Sequence, residues 1–311
     1  MNQTIFPHTI DSTILSAFRS CARKCYLQYF CHWKPKGESV HLIAGGAFAS
    51  GVETVRKAFF IENLSAEDAI MEGIRALLIH YGDFQFPEGS AKSPERMAGA
   101  LEYYFNQYPL GKDGTKPIIF SDKLHGIELS FARPLDFTHP VSGDPILYTG
   151  RSDMVAEFAG GKYVFDEKTT SQLGQSWTKQ WELRSQFTGY CWGSQDYGIS
   201  VDGVIVRGVS ILKTKYDTLQ VMTYRPEWEI ERWKGQVERD LANMQRCWEE
   251  DYWDYNLDHA CAEYGGCSFT QICKSNDPDT WLPMYFEKRV WDPLQRKQLT
   301  VEEYESQWEV K

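Results

Sequence analysis

The 311-residue sequence predicts a mixed α/β fold: a central mixed β-sheet flanked by helices, preceded by a helical section over 1–115 and followed by a cysteine-rich segment over 251–311. Three observations predict it. Apolar residues recur at helical spacing through the first hundred or so positions. The pattern changes to strand-like runs bounded by turn residues between 126 and 168, and again between 203 and 224. Helical spacing returns between and after those stretches. With 42% hydrophobic and 24% charged residues, the chain can bury a sizeable core without cross-links.

The first helix is expected from Asp11 to Phe30, where Ile14, Leu15, Phe18, Cys21, Cys25 and Leu27 share helical spacing and Asp11 or Ser12 can cap the start. Gly45-Gly46 is expected to open a second helix through Phe48, Val52, Val55 and Phe59, and two more are predicted over Ala66–Tyr81 and Pro94–Tyr108. Strands follow at Gly126–Ala132, Ile146–Phe158 and Tyr163–Lys168, with turns at Ser142-Gly143-Asp144 and Gly160-Gly161. A helix over Ser176–Gln195, strands at Gly203–Thr214 and Thr218–Tyr224, and a helix over Pro226–Glu250 complete the order. The chain beyond Trp281 carries no readable pattern.

Composition narrows the function. No run approaches the ~20 apolar residues of a membrane-spanning helix, and the N-terminus lacks the basic-then-apolar order of a secretory signal, so a cytoplasmic protein is expected. In that compartment eight cysteines point to metal or redox chemistry rather than disulfides. The net charge of -10 opposes bulk attraction to nucleic acid. Yet Arg19, Arg23, Lys24, Lys34, Lys36, Arg56 and Lys57 crowd the first sixty residues and could form a local basic face.

The stretch YTGRSDMVAEFAGGKYVFDEKTT carries the chemistry. A hairpin at the Gly-Gly turn can set Asp153 beside Asp166, and strand alternation sends Asp166 and Lys168 to one face and Glu167 to the other. Phosphodiester hydrolysis uses such a set: carboxylates to hold Mg²⁺ or Mn²⁺, and a cation to position water or steady developing charge. Glu53, on the second helix, could complete the metal sphere. Cys261, Cys267 and Cys273 form a second constellation, in CAEYGGCSFTQIC, which suits an iron-sulfur cluster or zinc and needs a fourth ligand from elsewhere. Cys191 and Cys247 read as buried apolar residues, and Trp177, Trp181 and Trp192 as helix core rather than base-stacking surfaces.

The series G-R-x-D-x-V at Gly150, D-x-K-T-T at Asp166 and Q-x-x-x-Y at Gln186 resembles the motifs of RecB-type PD-(D/E)xK nucleases. The opening S-A-F-R-S-C-A-R-K-C-Y-L-Q-Y is similar to the first helix of that group. The resemblance implies a restriction-endonuclease-like sheet over 116–250 and a phage-encoded exonuclease of the AddB or CRISPR-adaptation kind, acting in recombination, repair or phage DNA processing. Its partner would be DNA ends or single strands, with a recombination or replication protein as a possible further one. It implies Asp153 and Asp166 as ligands of Mg²⁺ or Mn²⁺, aided by the Glu167 carbonyl, Lys168 as the catalytic lysine, and Gln186 and Tyr190 at the DNA or behind the site. It also implies a cluster, of 4Fe–4S type with zinc as the alternative, on Cys21, Cys261, Cys267 and Cys273; Cys25 and then Cys31 are the other candidates for the fourth ligand. Relatives carry G-x-x-F-H-x-x-x-E in the second helix, whereas this chain reads GGAFASGVE, keeping Glu53 but placing Ala49 at the histidine. That departure and the acidic balance favour the alternative of a non-catalytic DNA-binding scaffold of the same fold.

Overall fold

The computed structural model describes residues 4–37, 39–121, 124–262 and 266–296. Strand β1 (Thr9–Asp11) runs into α1 (Ser12–Ser20), and the Asp11 carboxylate caps the helix by accepting the Thr13 and Ile14 N–H groups at 2.9 and 2.8 Å. The single helix expected to Phe30 is interrupted at Cys21, whose backbone is extended (φ −165°, ψ 118°). It resumes as α2 (Ala22–Cys25) and a wider turn over Tyr26–Phe30. After β2 (Trp33–Pro35), α3 (Val40–Phe60) begins ahead of the glycine pair expected to open it. Gly46 lies inside that helix, where a β-carbon would meet the His80 ring at 2.7 Å. Helices α4 (Ala66–Tyr81) and α5 (Pro94–Gln107) start at the Ser65 and Ser93 hydroxyls, which cap them.

The short strands β3 (Lys116–Pro117), β4 (Ile119–Ser121) and β5 (Leu124–His125) precede the long β6 (Ile127–Thr138), β7 (Pro145–Phe158) and β8 (Gly161–Thr170). Ala159 and Gly160 turn the chain between β7 and β8 with φ of 50° and 84°, one position before the predicted Gly160-Gly161. This two-residue turn of left-handed residues matches strand twist. The helix expected over Ser176–Gln195 is divided into α6 (Gln175–Lys179) and α7 (Ser185–Ser194). Between them the Trp181 carbonyl accepts the Arg225 guanidinium at 2.9 Å and a long turn-type bond from the Arg184 N–H at 3.4 Å. Strands β9 (Gly203–Ile211) and β10 (Tyr216–Tyr224) lead to α8 (Glu227–Glu249). The chain beyond it folds into α9 (His259–Ala262), α10 (Thr270–Lys274), α11 (Pro278–Tyr285) and β11 (Phe286–Lys288).

Seven strands form one mixed sheet in the order β1-β7-β8-β9-β10, with β3 and β6 also paired to β7. Pairing is antiparallel for β7-β8 and β9-β10 and parallel for β1-β7 and β8-β9. This is the mixed α/β architecture the sequence predicts.

The described residues divide into two compact units. One draws on the described parts of 4–37, 132–150 and 231–296. Its core is Leu27, Phe269, Ile272, Leu282 and Phe286, the β2-β11 pair lies beside it, and Arg19 meets Asp240 at 2.7 Å. The other draws on 38–131 and 151–230. In it Val209 and Ile211 of β9 join Ala47, Phe48, Val52, Leu101 and Tyr104 of α3 and α5 in one core. Strand alternation sends Gly208 to the opposite face, where a β-carbon would lie 2.4 Å from the Trp177 ring. Helix α7 packs against β8 and β9.

Candidate active site

The β7-β8 register sets Met154 opposite Phe165 and Val155 opposite Val164, and one step further brings Asp153 against Asp166. The contact that follows is direct: the Glu167 N–H donates to Asp153 Oδ2 at 2.9 Å. Alternation then separates the DEK triplet. Asp166, 1% exposed, meets Lys168 Nζ at 2.6 Å, and the Lys168 side chain is one-third exposed. Glu167 points into the opposite core, where the Arg56 guanidinium grips both its carboxylate oxygens and the Tyr104 hydroxyl donates to it at 2.8 Å. The Glu167 side chain is therefore a brace for β8, and only its backbone is left to serve a metal.

Electrostatics follow from this separation. Burial, with Asp166, Glu128 and Glu167 nearby, holds the Asp153 carboxyl well above the usual carboxylate range. Burial also raises Asp166, and the Lys168 ammonium pulls it part of the way back. Burial works against the Lys168 charge, but Asp166 and Asp153 outweigh it and hold that pKa above its ordinary value. For Glu167 the Arg56 guanidinium overrides burial and keeps the carboxylate ionised. Two carboxyls short of positive charge beside a retained ammonium form a donor set suited to a hard divalent cation.

A further carboxylate was not singled out from the sequence. Glu128 on β6 is buried, has a φ of +55°, and accepts Arg151 Nε at 2.8 Å. Burial, opposed by Arg151 and reinforced by Glu53, pushes its pKa up to about 7. The available signal was the stretch Ile127-Glu128-Leu129-Ser130-Phe131, all of it buried.

Other predicted residues are placed as follows. Glu53 on α3 pairs with Lys57 at 2.6 Å and contributes to the charge around Glu128. Ala49, one helical turn before it, is exposed. On α7, Gln186 donates to the Tyr190 hydroxyl at 2.8 Å. The basic face expected near the N-terminus loses members: Arg56 is buried against Glu167, while Arg19 and Lys57 are paired with carboxylates. Trp177, Trp181 and Trp192 are buried, as are Cys191 and Cys247.

In the other unit, Cys21, Cys261, Cys267 and Cys273 line one cavity of about 370 Å³, including its mouth, together with Lys24, Asn256 and Phe269. The extended backbone at Cys21 turns it away from the helix, and its sulfur accepts the Asn256 N–H at 3.5 Å. Burial, with Cys267, Cys21 and Cys261 as neighbours, raises the Cys273 thiol. Cys25 is instead fully buried with its sulfur 3.8 Å from the Ile14 carbonyl, and Cys31 lies by Tyr26 and Lys288. The donor chemistry of the lining suits a soft metal centre. Among the described residues, no three His, Cys, Asp or Glu side chains are drawn together at the distances of a common metal ion. Gly265 of the expected Gly265-Gly266 fold lies outside the described residues, as does the tail beyond residue 296.

A family profile described as the PD-(D/E)XK nuclease superfamily matches residues 12–274. No protein of curated function matches the chain. Among solved structures, that of SSO0001 is similar at 14% identity over 76% of this chain and 77% of that one, with a TM-score of 0.31. Another, a protein of Eubacterium rectale provisionally described as an exonuclease, is similar at 12% identity over 82% of this chain and 87% of that one, with a TM-score of 0.49.

Proposed function

The chain belongs to the PD-(D/E)XK nuclease superfamily, and from that premise we propose that it is a metal-dependent DNA exonuclease acting on ends or single strands in recombination, repair or phage DNA processing. The observation that carries this reading is the meeting of Asp153, Asp166 and Lys168 at one point of the β7-β8 hairpin.

Asp153 and Asp166 would hold Mg²⁺ or Mn²⁺, with the Glu167 carbonyl assisting and Glu53 as a further donor. When bound, such an ion polarises the phosphate and lowers the pKa of a coordinated water. Lys168 keeps its proton, because two carboxyls sit beside it, and steadies the charge that develops on the phosphate oxygens as the bond breaks. Gln186 and Tyr190, tied to each other on α7, would position the DNA strand or support β8. The brace from Arg56 and Tyr104 fixes the peptide between Asp166 and Lys168, so the two functional side chains keep their direction.

In the cysteine-lined cavity, Cys21, Cys261, Cys267 and Cys273 would hold an iron-sulfur cluster of 4Fe–4S type, or zinc, joining the first helical segment to the C-terminal one much as a long-range cross-link does. The test is incubation of purified protein with end-labelled single- and double-stranded DNA and Mn²⁺. Cleavage lost in Asp153→Ala and in Lys168→Ala supports the enzyme. DNA binding without cleavage, unchanged in Lys168→Ala, identifies a scaffold instead.

A further inference from the structure

Within the first unit, α11 presents a face that the core does not use. Leu282 of α11 and Phe286, which follows the helix, are buried beside Phe269. Trp281, Met284 and Tyr285 share another side of the helix at i, i+3 and i+4, and are 39%, 57% and 52% exposed. The Trp281 and Tyr285 rings lie within 10° of parallel, with centroids 5.7 Å apart. A contiguous exposed stripe of this size marks an interaction surface. Cations gather at its Tyr285 end. The Lys36 N–H donates to the Tyr285 carbonyl at 2.9 Å and Lys36 Nζ to the Pro283 carbonyl at 2.7 Å, which fixes that ammonium at the end of the helix. The β2-β11 register sets Lys34 opposite Glu287, and Arg289 follows with its N–H tied to the His32 carbonyl at 2.8 Å. Lys34, Lys36 and Arg289 form no ion pair among the described residues. The acids of the helix lie at its start: the Asp277 carboxylate accepts the Thr280 hydroxyl at 2.7 Å, and Asp279, two residues before Trp281, falls on the opposite side. In a chain of net charge -10, residues 12–37 contain Arg19, Arg23, Lys24, Lys34 and Lys36 and no Asp or Glu.

We infer that this face binds single-stranded DNA, with unpaired bases stacking on Trp281 and Tyr285 and the flanking phosphates meeting Lys34, Lys36 and Arg289. The inference rests on the proposal that DNA is the substrate, and goes beyond it by assigning a second, non-catalytic contact and the form of strand it takes. Stacking accepts any base, because every base has a π-face, but it requires that face to be free, which a paired duplex offers only at its ends. Charge complementarity selects this occupant over an apolar protein surface. Phosphates answer three unpaired cations, whereas a dry apolar partner would bury them without counter-charge.

The test is fluorescence anisotropy of a labelled oligo-dT, and of a duplex of the same length, with the full chain in buffer without added divalent ion. The strands are checked intact on a gel, and a salt series is run for wild type, Trp281→Ala, Trp281→Phe, Tyr285→Ala and Arg289→Gln. Trp281→Ala and Tyr285→Ala are each expected to weaken oligo-dT binding by about fivefold or more, while Trp281→Phe, which keeps a π-face, holds most of it and duplex affinity changes by less than about twofold. Arg289→Gln is expected to flatten the slope of log affinity against log salt by about 0.7. Wild-type oligo-dT affinity in both alanine variants overturns the inference, as do equal losses on single strand and duplex. Trp281→Ala that dissociates a self-associated chain in sedimentation while leaving oligo-dT binding intact identifies a protein interface and overturns it too. Should the alanine variants not fold, Arg289→Gln decides: an unchanged salt slope overturns the assignment and a flattened one supports it. Mn²⁺-dependent cleavage that persists in Asp153→Ala would defeat the nuclease reading and leave this surface standing. Cleavage lost there, with wild-type oligo-dT binding in Trp281→Ala and Tyr285→Ala, defeats only the surface.

Discussion

Replacing Arg56 by methionine strands the Glu167 carboxylate. In the folded protein that side chain is 2% exposed, Arg56 is 3% exposed, and the guanidinium contacts both carboxylate oxygens. After Arg56→Met the buried charge keeps the Tyr104 hydroxyl at 2.8 Å and the more distant Arg207 guanidinium, and loses its direct ion pair. Breaking one side of a buried ion pair costs roughly 3–5 kcal/mol, a large share of a total stability of about 5–15 kcal/mol. With a urea m-value of ~3 kcal/mol/M, the unfolding midpoint falls by about 1–1.7 M. The double substitution Arg56→Met with Glu167→Met removes the stranded charge and leaves the Tyr104 hydroxyl short of an acceptor, a cost of roughly 1–3 kcal/mol. The double variant is thus expected to be more stable than Arg56→Met alone. Urea titrations followed by circular dichroism on the four members of the cycle measure this. A loss under about 1 kcal/mol for the single change, or a double change that costs the sum of the two singles, would refute the brace.

The remaining expectations concern pH, metal and packing. Burial lifts the Glu128 pKa from 4.5 to about 7, so its contribution to stability is complete below the lower value and is lost as pH rises through the higher one. Asp153 and Asp166 act in the same direction. Chelator-treated protein should therefore lose stability as pH rises across that window; urea midpoints that rise with pH would contradict this. Glu167 acts oppositely, its lowered pKa giving stability that disappears as pH falls below the ordinary carboxylate range. Cys21→Ser is expected to reduce iron or zinc per chain and the visible absorbance, whereas Cys25→Ser should leave both unchanged; elemental analysis of anaerobically purified protein decides. Gly208→Ala pushes a methyl to 2.4 Å from the Trp177 ring and should cost about 1–3 kcal/mol by thermal melting.

The parts of the fold legible in the sequence follow from periodicity. Helix α4 matches its expected span from Ala66 to Tyr81, because a serine cap and an uninterrupted amphipathic stripe define both ends. The Asp153, Asp166 and Lys168 arrangement was legible because a hairpin and strand alternation fix it locally. Tertiary contacts decided what was not. The break at Cys21 and the split between α6 and α7 depend on residues far along the chain, Asn256 and Arg225, which compete for backbone and sulfur atoms that a regular helix leaves in place. Arg56 is expected on a basic face from its sequence neighbours, and α3 turns it inward to Glu167. Glu128 is not legible in the sequence, because its neighbour Asp153 lies on another strand and no short motif links them.

The first unit assembles from three separated pieces of chain, and its Arg19–Asp240 contact spans 221 positions. At ribosomal speeds of ~5–20 residues per second, Arg19 waits roughly 10–45 s for its partner. During that interval the nascent opening helix keeps its apolar stripe uncovered, which makes it a natural client of chaperones. Expression yield should then respond to translation rate and cold shock more than equilibrium stability would suggest.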